Sequence, residues 1–445
     1  MIKLRFAPSP TGYLHVGNFR TALINYLLAK KLEGHFMLRI DDTDVERSKL
    51  AYEDQIKKDL TWAGLNWDSE VKQSLRLDRY KEILNLLIKN QLIYPCFEEP
   101  EELNLKRKAQ LASGKPPVYD RKSLNLSEIE VEKMISNGKK PHYRFFLKNE
   151  KIIWNDLVRR ECSLETSNIS DPIVVREDGR FIYTLASVID DMDHKITHVI
   201  RGEDHVTNSA VQIQIFRALN SKVPDMGHLS LMTDIDGSGL SKRIGSLSIN
   251  DLKNENIEPE AINSYLSRAG SSKNVDLRKS INELIIDFDI NDFNKAPTKF
   301  DYEFLKNFNS KFFQHIKYEL MLNRVKENKV YFTEKFWNFI KTNVFTVEEV
   351  HEWLKIIYGD FYVDSSLDLE TKKEYLSCFP DSSLDHLTWS FWLENIIKKV
   401  NDKKINIIKN LRLYLTGKTS GPELSTLVIF LGKEKIFERL KTSDL

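Results

Sequence analysis

The sequence predicts an α/β protein: a parallel sheet of the nucleotide-binding kind, split by an α+β insertion and followed by an all-α C-terminal region. Three observations carry that prediction. Ile2 to Asp44 reads strand, glycine-bearing turn, helix, strand, the unit that opens a parallel sheet. A polar stretch, residues 97–140, then interrupts the pattern ahead of several short strand-like runs. Beyond Asn250 the apolar spacing is helical almost throughout.

At 445 residues the chain is too long for one core. The expected parts are residues 1–95 and 181–235 as two halves of the nucleotide fold, 96–180 as the insertion, 236–310 as a loop and stem region, and 311–445 as the helical domain. Charged residues make up 29% and hydrophobic ones 41%, with a formal net charge of +1, so any surface for a polyanion must be local. Cys96, Cys162 and Cys378 lie far apart, which argues against a disulfide framework and for a reducing compartment. No run approaches a membrane span, and the expected location is cytoplasmic.

In the opening unit, Ile2-Lys-Leu-Arg-Phe6 alternates apolar residues as a strand does. Ala7-Pro-Ser-Pro-Thr-Gly12 is a loop stiffened by two prolines. His15-Val-Gly-Asn18 then enters a helix with Phe19, Ala22, Leu23, Tyr26 and Leu27 on one face. Gly34 reads as its stop, and Phe36–Ile40 as the second strand. The turn therefore sits at the carboxyl end of the first strand, where open α/β sheets bind ligands. The helix start aims its free N–H groups and positive dipole end at the same crevice. Gly17 leaves room for a ring or phosphate to approach the backbone. The P-loop Lys-Ser/Thr and the dinucleotide spacing are both missing.

Arg5-Phe-Ala-Pro-Ser-Pro-Thr-Gly-Tyr-Leu-His-Val-Gly17 closely resembles the N-terminal signature of bacterial glutamyl-tRNA synthetases, with His15-Val-Gly-Asn18 standing for the class I "HIGH" motif. The resemblance implies a Rossmann-like class I synthetase catalytic domain. It assigns His15 and Gly17 to catalysis, the same two with Pro8, Thr11 and Gly12 to ATP, and Arg5 and Ser9 to glutamate.

Arg39-Ile-Asp-Asp-Thr-Asp44 closes the second strand; acids there ordinarily make a turn and a helix cap. The resemblance gives Asp41 the substrate's α-amino group, at a position where the family usually has Glu. Tyr52, Ile56, Leu60 and Ala63 mark one outer helix. Gln73–Tyr80 opens another that reaches about Asn90, with Ser74 as its N-cap. In the insertion, His142–Leu147, Ile152–Trp154 and Ile173–Val175 read as strands, with a hairpin turn at Asp178-Gly179. By resemblance this part holds the tRNA acceptor stem. Tyr94-Pro-Cys-Phe97 falls where some relatives carry a zinc-binding cysteine cluster; with Cys96 alone, no metal site and no structural zinc is expected.

Phe181–Asp191 returns to the nucleotide fold. His198–Arg201 is a strand ending in Gly202-Glu-Asp-His205, followed by a helix with Val211, Ile215 and Leu219 and a strand over His228–Met232. The resemblance places Tyr183 and Arg201 in the glutamate pocket, with Ser187 where many relatives have Asn, and Asp204 and His205 near the ATP ribose and adenine. Asp236-Gly-Ser-Gly-Leu-Ser-Lys-Arg-Ile-Gly245 resembles the "KMSKS" loop. That gives Ser241, Lys242 and Arg243 to ATP and Lys242 to catalysis, with Gly239 at the motif's first lysine.

Lys299–Phe308 resembles the junction before the family's anticodon-binding part. Trp337, Trp353, Trp389 and Trp392 are expected in a helical core. Lys398, Lys399, Lys403, Lys404, Lys409, Arg412 and Lys418 form a basic segment able to follow a phosphate backbone. The resemblance as a whole implies a monomeric glutamate–tRNA ligase using ATP with Mg²⁺, L-glutamate, and tRNA(Glu) and/or tRNA(Gln). The competing expectations are a glutaminyl-tRNA synthetase, whose family normally ends in β-barrels, and a catalytically inactive tRNA-binding paralogue.

Overall fold

The computed structural model describes residues 1–114, 116–237, 247–278, 280–359, 369–381, 384–385, 387–400 and 402–441. It divides into two compact units, Met1–Leu305 and Lys306–Leu445.

The first unit is built on β1 (Lys3–Phe6), α1 (Val16–Lys31), β2 (His35–Ile40), α2 (Leu50–Trp62), β3 (Ser69–Lys72) and α3 (Leu77–Lys89). After the insertion come α4 (Tyr183–Asp193), β4 (His198–Gly202), α5 (Val206–Ala218) and β5 (Asp225–Leu229). These five strands form one sheet in the order β5-β4-β1-β2-β3, every neighbouring pair parallel. The first two strands in the chain, β1 and β2, are thus flanked by later strands, which puts the end of β1 at the middle of the sheet.

Leu4, Phe36, Leu38 and Ile40 are fully buried. The helix face predicted for α1 is buried as expected, but so are Arg20, Ile24, Asn25, Leu28 and Ala29, so α1 is enclosed on nearly all sides. The cause is a second layer from later in the chain. Pro259–Leu266 and Ile281–Asp287, both helices, pack on the side of α1 away from the sheet.

The insertion carries a three-stranded antiparallel sheet, Ile93–Cys96 with His142–Phe145 and Ile173–Val175, and a separate hairpin, Lys151–Asp156 with Arg160–Glu165. The second hairpin strand was not anticipated, because its Arg-Glu-Cys-Ser-Leu-Glu run is mostly exposed and only Cys162 and Leu164 alternate as apolar residues. The turn at Asp178-Gly179 is present, with Gly179 at φ 83° and Val175 bridged to Phe181.

Two local expectations are corrected. Ser74 is not an N-cap: it lies in a 3₁₀ turn, Gln73–Arg76, where its N–H donates to Asp42 Oδ1 (2.8 Å), and α3 starts without a side-chain cap. The strand predicted over His228–Met232 breaks after Leu229, and Met232–Asp234 pairs instead with Thr298–Phe300. Between the two pieces, the Ser230 carbonyl accepts from Arg20 Nη1 (2.8 Å) and the Leu231 N–H donates to Glu203 (3.0 Å), which diverts the backbone from the sheet.

The second unit is helical throughout its described residues, including Glu334–Ile340, Val347–Tyr358, Thr388–Lys399, Lys404–Thr416 and Leu424–Leu440. Trp337, Trp353 and Trp392 are buried in it, and Trp389 is half-buried. The Trp337 and Trp392 indole N–H groups donate to the carbonyls of Ile316 (3.1 Å) and Tyr375 (2.8 Å), as buried indoles require. No helix among the described residues is long and apolar enough to cross a membrane.

Candidate active site

At the carboxyl ends of β1 and β4 lies a cavity of about 620 Å³. Of the sequence-predicted residues, it brings together Arg5, Pro8, Ser9, Thr11, His15, Gly17, Asp41, Tyr183, Arg201, Asp204 and His205. Gly12 and Ser187 do not line it. Ser187 is fully buried in α4, where its hydroxyl donates to the Tyr183 carbonyl one turn back (2.6 Å) and accepts from Gln212 (2.7 Å). Ser241, Lys242 and Arg243, with Gly239, lie outside the described residues.

One end of the cavity is made by the start of α1. His15 is the N-cap residue, and its Nδ1 accepts from the Gly17 N–H (3.1 Å). That bond places the proton of neutral imidazole on Nε2, and burial lowers the ring's pKa, so the neutral donor form prevails at neutral pH. A Cβ on Gly17 would approach the His15 ring at 3.1 Å, so glycine leaves the imidazole its place. The residues just after the basic loop are fastened here. Val16 N–H donates to the Leu247 carbonyl (3.2 Å), Ile249 N–H donates to Leu14 (2.8 Å), and Ser248 is bridged to His15. Leu247 and Met232, from the two flanks of that loop, both line the cavity.

The other end is charged, and its residues come from register. β1 and β4 are adjacent parallel strands, so Arg5 and Arg201 project from one face of the sheet. Their surroundings differ. Arg5, 3% exposed, donates from Nε and Nη2 to Asp191 (3.1 and 3.3 Å). Asp191 also accepts from Arg39 Nη1 (2.7 Å), and Arg39 closes a two-toothed pair with Asp41 (2.7 and 3.1 Å). Arg5, Arg39, Asp41 and Asp191 thus share one buried network, which Arg39 extends to Asp190 (3.7 Å), itself paired with Arg76. Burial works against the Asp191 carboxylate, but Arg5 and Arg39 hold it below its ordinary range; burial pushes Asp41 up to about 6 despite Arg39.

Arg201, 5% exposed, has only neutral partners. Its guanidinium donates to the Tyr183 hydroxyl (2.7 Å), the Ser209 hydroxyl (2.6 Å) and His228 Nε2 (3.4 Å). Among the described residues no carboxylate stands within salt-bridge distance of it. The nearby Glu203 is taken by Arg159. A buried guanidinium without a counter-charge is costly, and an anionic ligand in the cavity removes that cost.

Sequence reasoning missed Arg39, Asp191, Ser209, His228 and Arg20. Arg39 and His228 carried a signal: each is a polar residue flanked by apolar ones within a buried stretch of strand, where a charge must have a partner. Arg20 lines the cavity, and burial pushes its pKa down to about 10. Asp191 and Ser209 sit on helices, and no local pattern marks their partners.

The insertion also departs from expectation. Cys96 is not by itself: ligand atoms of Cys96, Glu98 and His142 lie within 4.8 Å of one another. The sequence reading counted cysteines and overlooked that Ile93–Cys96 pairs with His142–Phe145, with Cys96 opposite His142. The residues fit a metal poorly. Glu98 accepts from the Tyr119 (2.6 Å) and Ser123 (3.0 Å) hydroxyls, burial pushes the Cys96 thiol up to about 11, and the Arg144 guanidinium lies 4.2 Å from the centre of the Tyr119 ring. The Tyr119 hydroxyl also lies 3.7 Å from Cys96 Sγ, so it bonds two of the three ligand atoms.

Residues 1–307 match the catalytic domain of the class I tRNA synthetases for E and Q. Glutamate–tRNA ligase 1 of Rickettsia bellii is 44% identical over 98% of both chains, and glutamate–tRNA ligase 1 of Maricaulis maris is 44% identical over 99% of both. A glutamate–tRNA ligase from Elizabethkingia meningosepticum, solved in complex with its amino acid, superposes with a TM-score of 0.80 at 27% identity, covering 99% of this chain and 98% of its own. With its parallel sheet, its helix-capping His15 and this match along nearly its whole length, the chain belongs to the glutamate–tRNA ligase family of the class I tRNA synthetases.

Proposed function

We propose that this chain activates L-glutamate with ATP and transfers it to the 3′-terminal ribose of tRNA(Glu), tRNA(Gln) or both. The observation that carries the reading is Arg201, a buried cation in the cavity whose partners are all neutral. Glutamate's side-chain carboxylate supplies the missing charge, and Tyr183 aims the guanidinium toward it. Arg5, already balanced by Asp191, contributes N–H donors and shape rather than net charge.

ATP lies across the start of α1. The substrate α-carboxylate attacks the α-phosphorus, pyrophosphate leaves, and the terminal ribose hydroxyl then attacks the activated carbonyl. The chain's part is alignment and charge stabilisation. His15 donates from Nε2, and the helix dipole and Lys242 meet the charge that grows on the phosphates. Mg²⁺ would travel with ATP: of the carboxylates lining the cavity, Asp41 is spent on Arg39 and Asp204 is single, so the described residues offer no dedicated cage.

The parts beyond the cavity follow the same reading. Residues 96–180 bind the acceptor stem and the helical unit reads the anticodon. On that unit Lys398, Lys399, Lys403, Lys404 and Lys409 are exposed, whereas Arg412 is half-buried and donates to the Pro422 carbonyl (2.7 Å). The absence of strand from the described residues of this unit supports a glutamyl over a glutaminyl enzyme. The chain acts as a monomer in the cytoplasm. Charging assays with glutamate on each purified tRNA, beside ATP–pyrophosphate exchange with and without tRNA, test the reading; failure on both tRNAs with no exchange would mark an inactive paralogue.

A further inference from the structure

Arg201 and His228 are register partners on neighbouring strands, β4 and β5, so their side chains leave the same face side by side. His228 is fully buried, and its two ring nitrogens face different groups. Nδ1 lies 2.5 Å from Asp156 Oδ2. Nε2 lies 2.7 Å from the Ser209 hydroxyl and 3.4 Å from Arg201 Nε. A guanidinium can only donate, and a carboxylate only accept. The ring is therefore neutral, with its proton on Nδ1 toward Asp156 and its lone pair on Nε2 toward Arg201. Burial and the Arg201 charge both lower the His228 pKa, which agrees with that assignment.

Asp156 comes from the hairpin of the insertion, not from the sheet. Its Oδ1 accepts from the backbone N–H groups of Val158 (3.0 Å), Arg159 (2.9 Å) and His228 (3.1 Å), and Trp154 Nε1 approaches Oδ2 at 3.4 Å. So many donors fix its place and keep it ionised although it is buried. A carboxylate touching Arg201 directly would cancel the charge that glutamate must meet. An imidazole between the two passes on the acceptor and leaves the guanidinium's charge uncancelled.

We propose that His228 and Asp156 are positioning residues for glutamate selection: Asp156 holds His228 in the tautomer whose Nε2 lone pair, with the Ser209 hydroxyl, aims Arg201 at the substrate's side-chain carboxylate. The inference rests on Arg201 receiving that carboxylate. It adds that a residue of the insertion sets the chemistry of the amino-acid pocket. The logic is that of a carboxylate–histidine pair orienting a metal or a nucleophile, with a guanidinium in the oriented place.

The test compares three variants of the full chain in aminoacylation, with Michaelis constants for glutamate, ATP and tRNA measured separately. His228→Asn keeps a donor for Asp156 and loses the acceptor for Arg201; the glutamate constant should rise about 10–100-fold, the usual scale for removing such an orienting group. His228→Gln keeps an acceptor near the Nε2 position and should stay within about threefold of wild type, by the same scale. Asp156→Asn lets the ring turn its N–H toward the guanidinium and should resemble His228→Asn, with the ATP and tRNA constants unchanged. Added to His228→Gln, it should cost nothing more, because Asp156 then has no ring to orient. Equal effects of Asn and Gln at position 228 would overturn the proposal. So would an ATP constant rising in step with that for glutamate. Should Asp156→Asn not fold, the Asn/Gln contrast decides. If the wild-type chain charges no tRNA with glutamate, the functional reading itself falls.

Discussion

Arg201 and Arg5 stand on neighbouring strands and face one cavity, yet their partners require opposite responses to alanine substitution. In Arg201→Ala the neutral groups Tyr183, Ser209 and His228 lose a donor, and no carboxylate is stranded. The fold loses little, since an uncompensated buried cation is removed with the bonds. Glutamate, by contrast, loses its counter-charge in a dry pocket, at about 2–5 kcal/mol by analogy with buried charge pairs at interfaces. At 1.4 kcal/mol per decade, that is about a 30-fold to few-thousand-fold rise in the glutamate Michaelis constant. Neutral glutamine has no full charge to strand, so the preference for glutamate should narrow. In Arg5→Ala, Asp191 keeps Arg39 but loses its other cation, which leaves its buried carboxylate under-compensated. Breaking a buried pair costs about 3–5 kcal/mol of stability. Melting curves and Michaelis constants for glutamate and glutamine, measured on both variants, decide the matter. An Arg201→Ala protein that melts far lower than wild type and keeps its full preference for glutamate would refute the reasoning, and so would an Arg5→Ala protein of wild-type stability.

Three further outcomes are expected. Lys242→Ala should lose about 2–4 kcal/mol of transition-state stabilisation, the scale for one preorganised charge donor, with tRNA affinity unchanged; an activation rate within a few-fold of wild type would remove this residue from the mechanism. Metal analysis of the purified protein should find no stoichiometric zinc, since a cation between Cys96, Glu98 and His142 would have to displace the Tyr119 and Ser123 hydroxyls and ionise a thiol pushed up to about 11. Stability should fall on acidification from about pH 6.5 toward 4. His142 and His205 are both pushed down to about 4 by burial, so the unfolded chain binds more protons in that window, and a melting temperature that rose there would contradict the assignment. Asp41 and Asp59, both pushed up to about 6 by burial, work with the opposite sign, because their folded forms take up the proton first; His15, His194, His198 and His228, also lowered by burial, add to the two histidines and leave a net fall.

How much of this was legible in the sequence follows from the range of each interaction. The βαβ opening, the turn at the end of β1 and the capping His15 are set by neighbours in the chain, and periodicity with turn chemistry exposes them. Arg5 and Arg201 were also readable, as strand-end residues. What could not be read was which partners each one meets. Arg5 finds Asp191 across 186 positions, and His228 finds Asp156 across 72. The same blindness misled the count at Cys96, whose neighbours Glu98 and His142 meet it through a turn and a strand pairing. Ser187 failed for another reason: a hydroxyl on a buried helix bonds its own preceding turn unless something stronger is offered, and this one does.

The departure at Asp41 can now be placed within the charge pattern. Both its oxygens are held by Arg39, so the shorter side chain is not left short of a partner. Yet burial raises it to about 6, which means that the cluster stabilises its charge incompletely. A substrate ammonium arriving at the cavity wall would add the positive charge that Asp41 lacks, just as the side-chain carboxylate adds the negative charge that Arg201 lacks. On the proposed reading the cavity would select a zwitterion with one further carboxylate, the amino group on the Asp41 side, the side-chain carboxylate at Arg201 and the α-carboxylate at the phosphate end beside His15. A dicarboxylate without the amino group would satisfy Arg201 but leave Asp41 under-compensated. Glutarate should therefore compete with glutamate only weakly, and more weakly still above pH 6, where Asp41 is charged. An inhibition constant for glutarate that improved as the pH rose through 6 would show that Asp41 does not face the amino group.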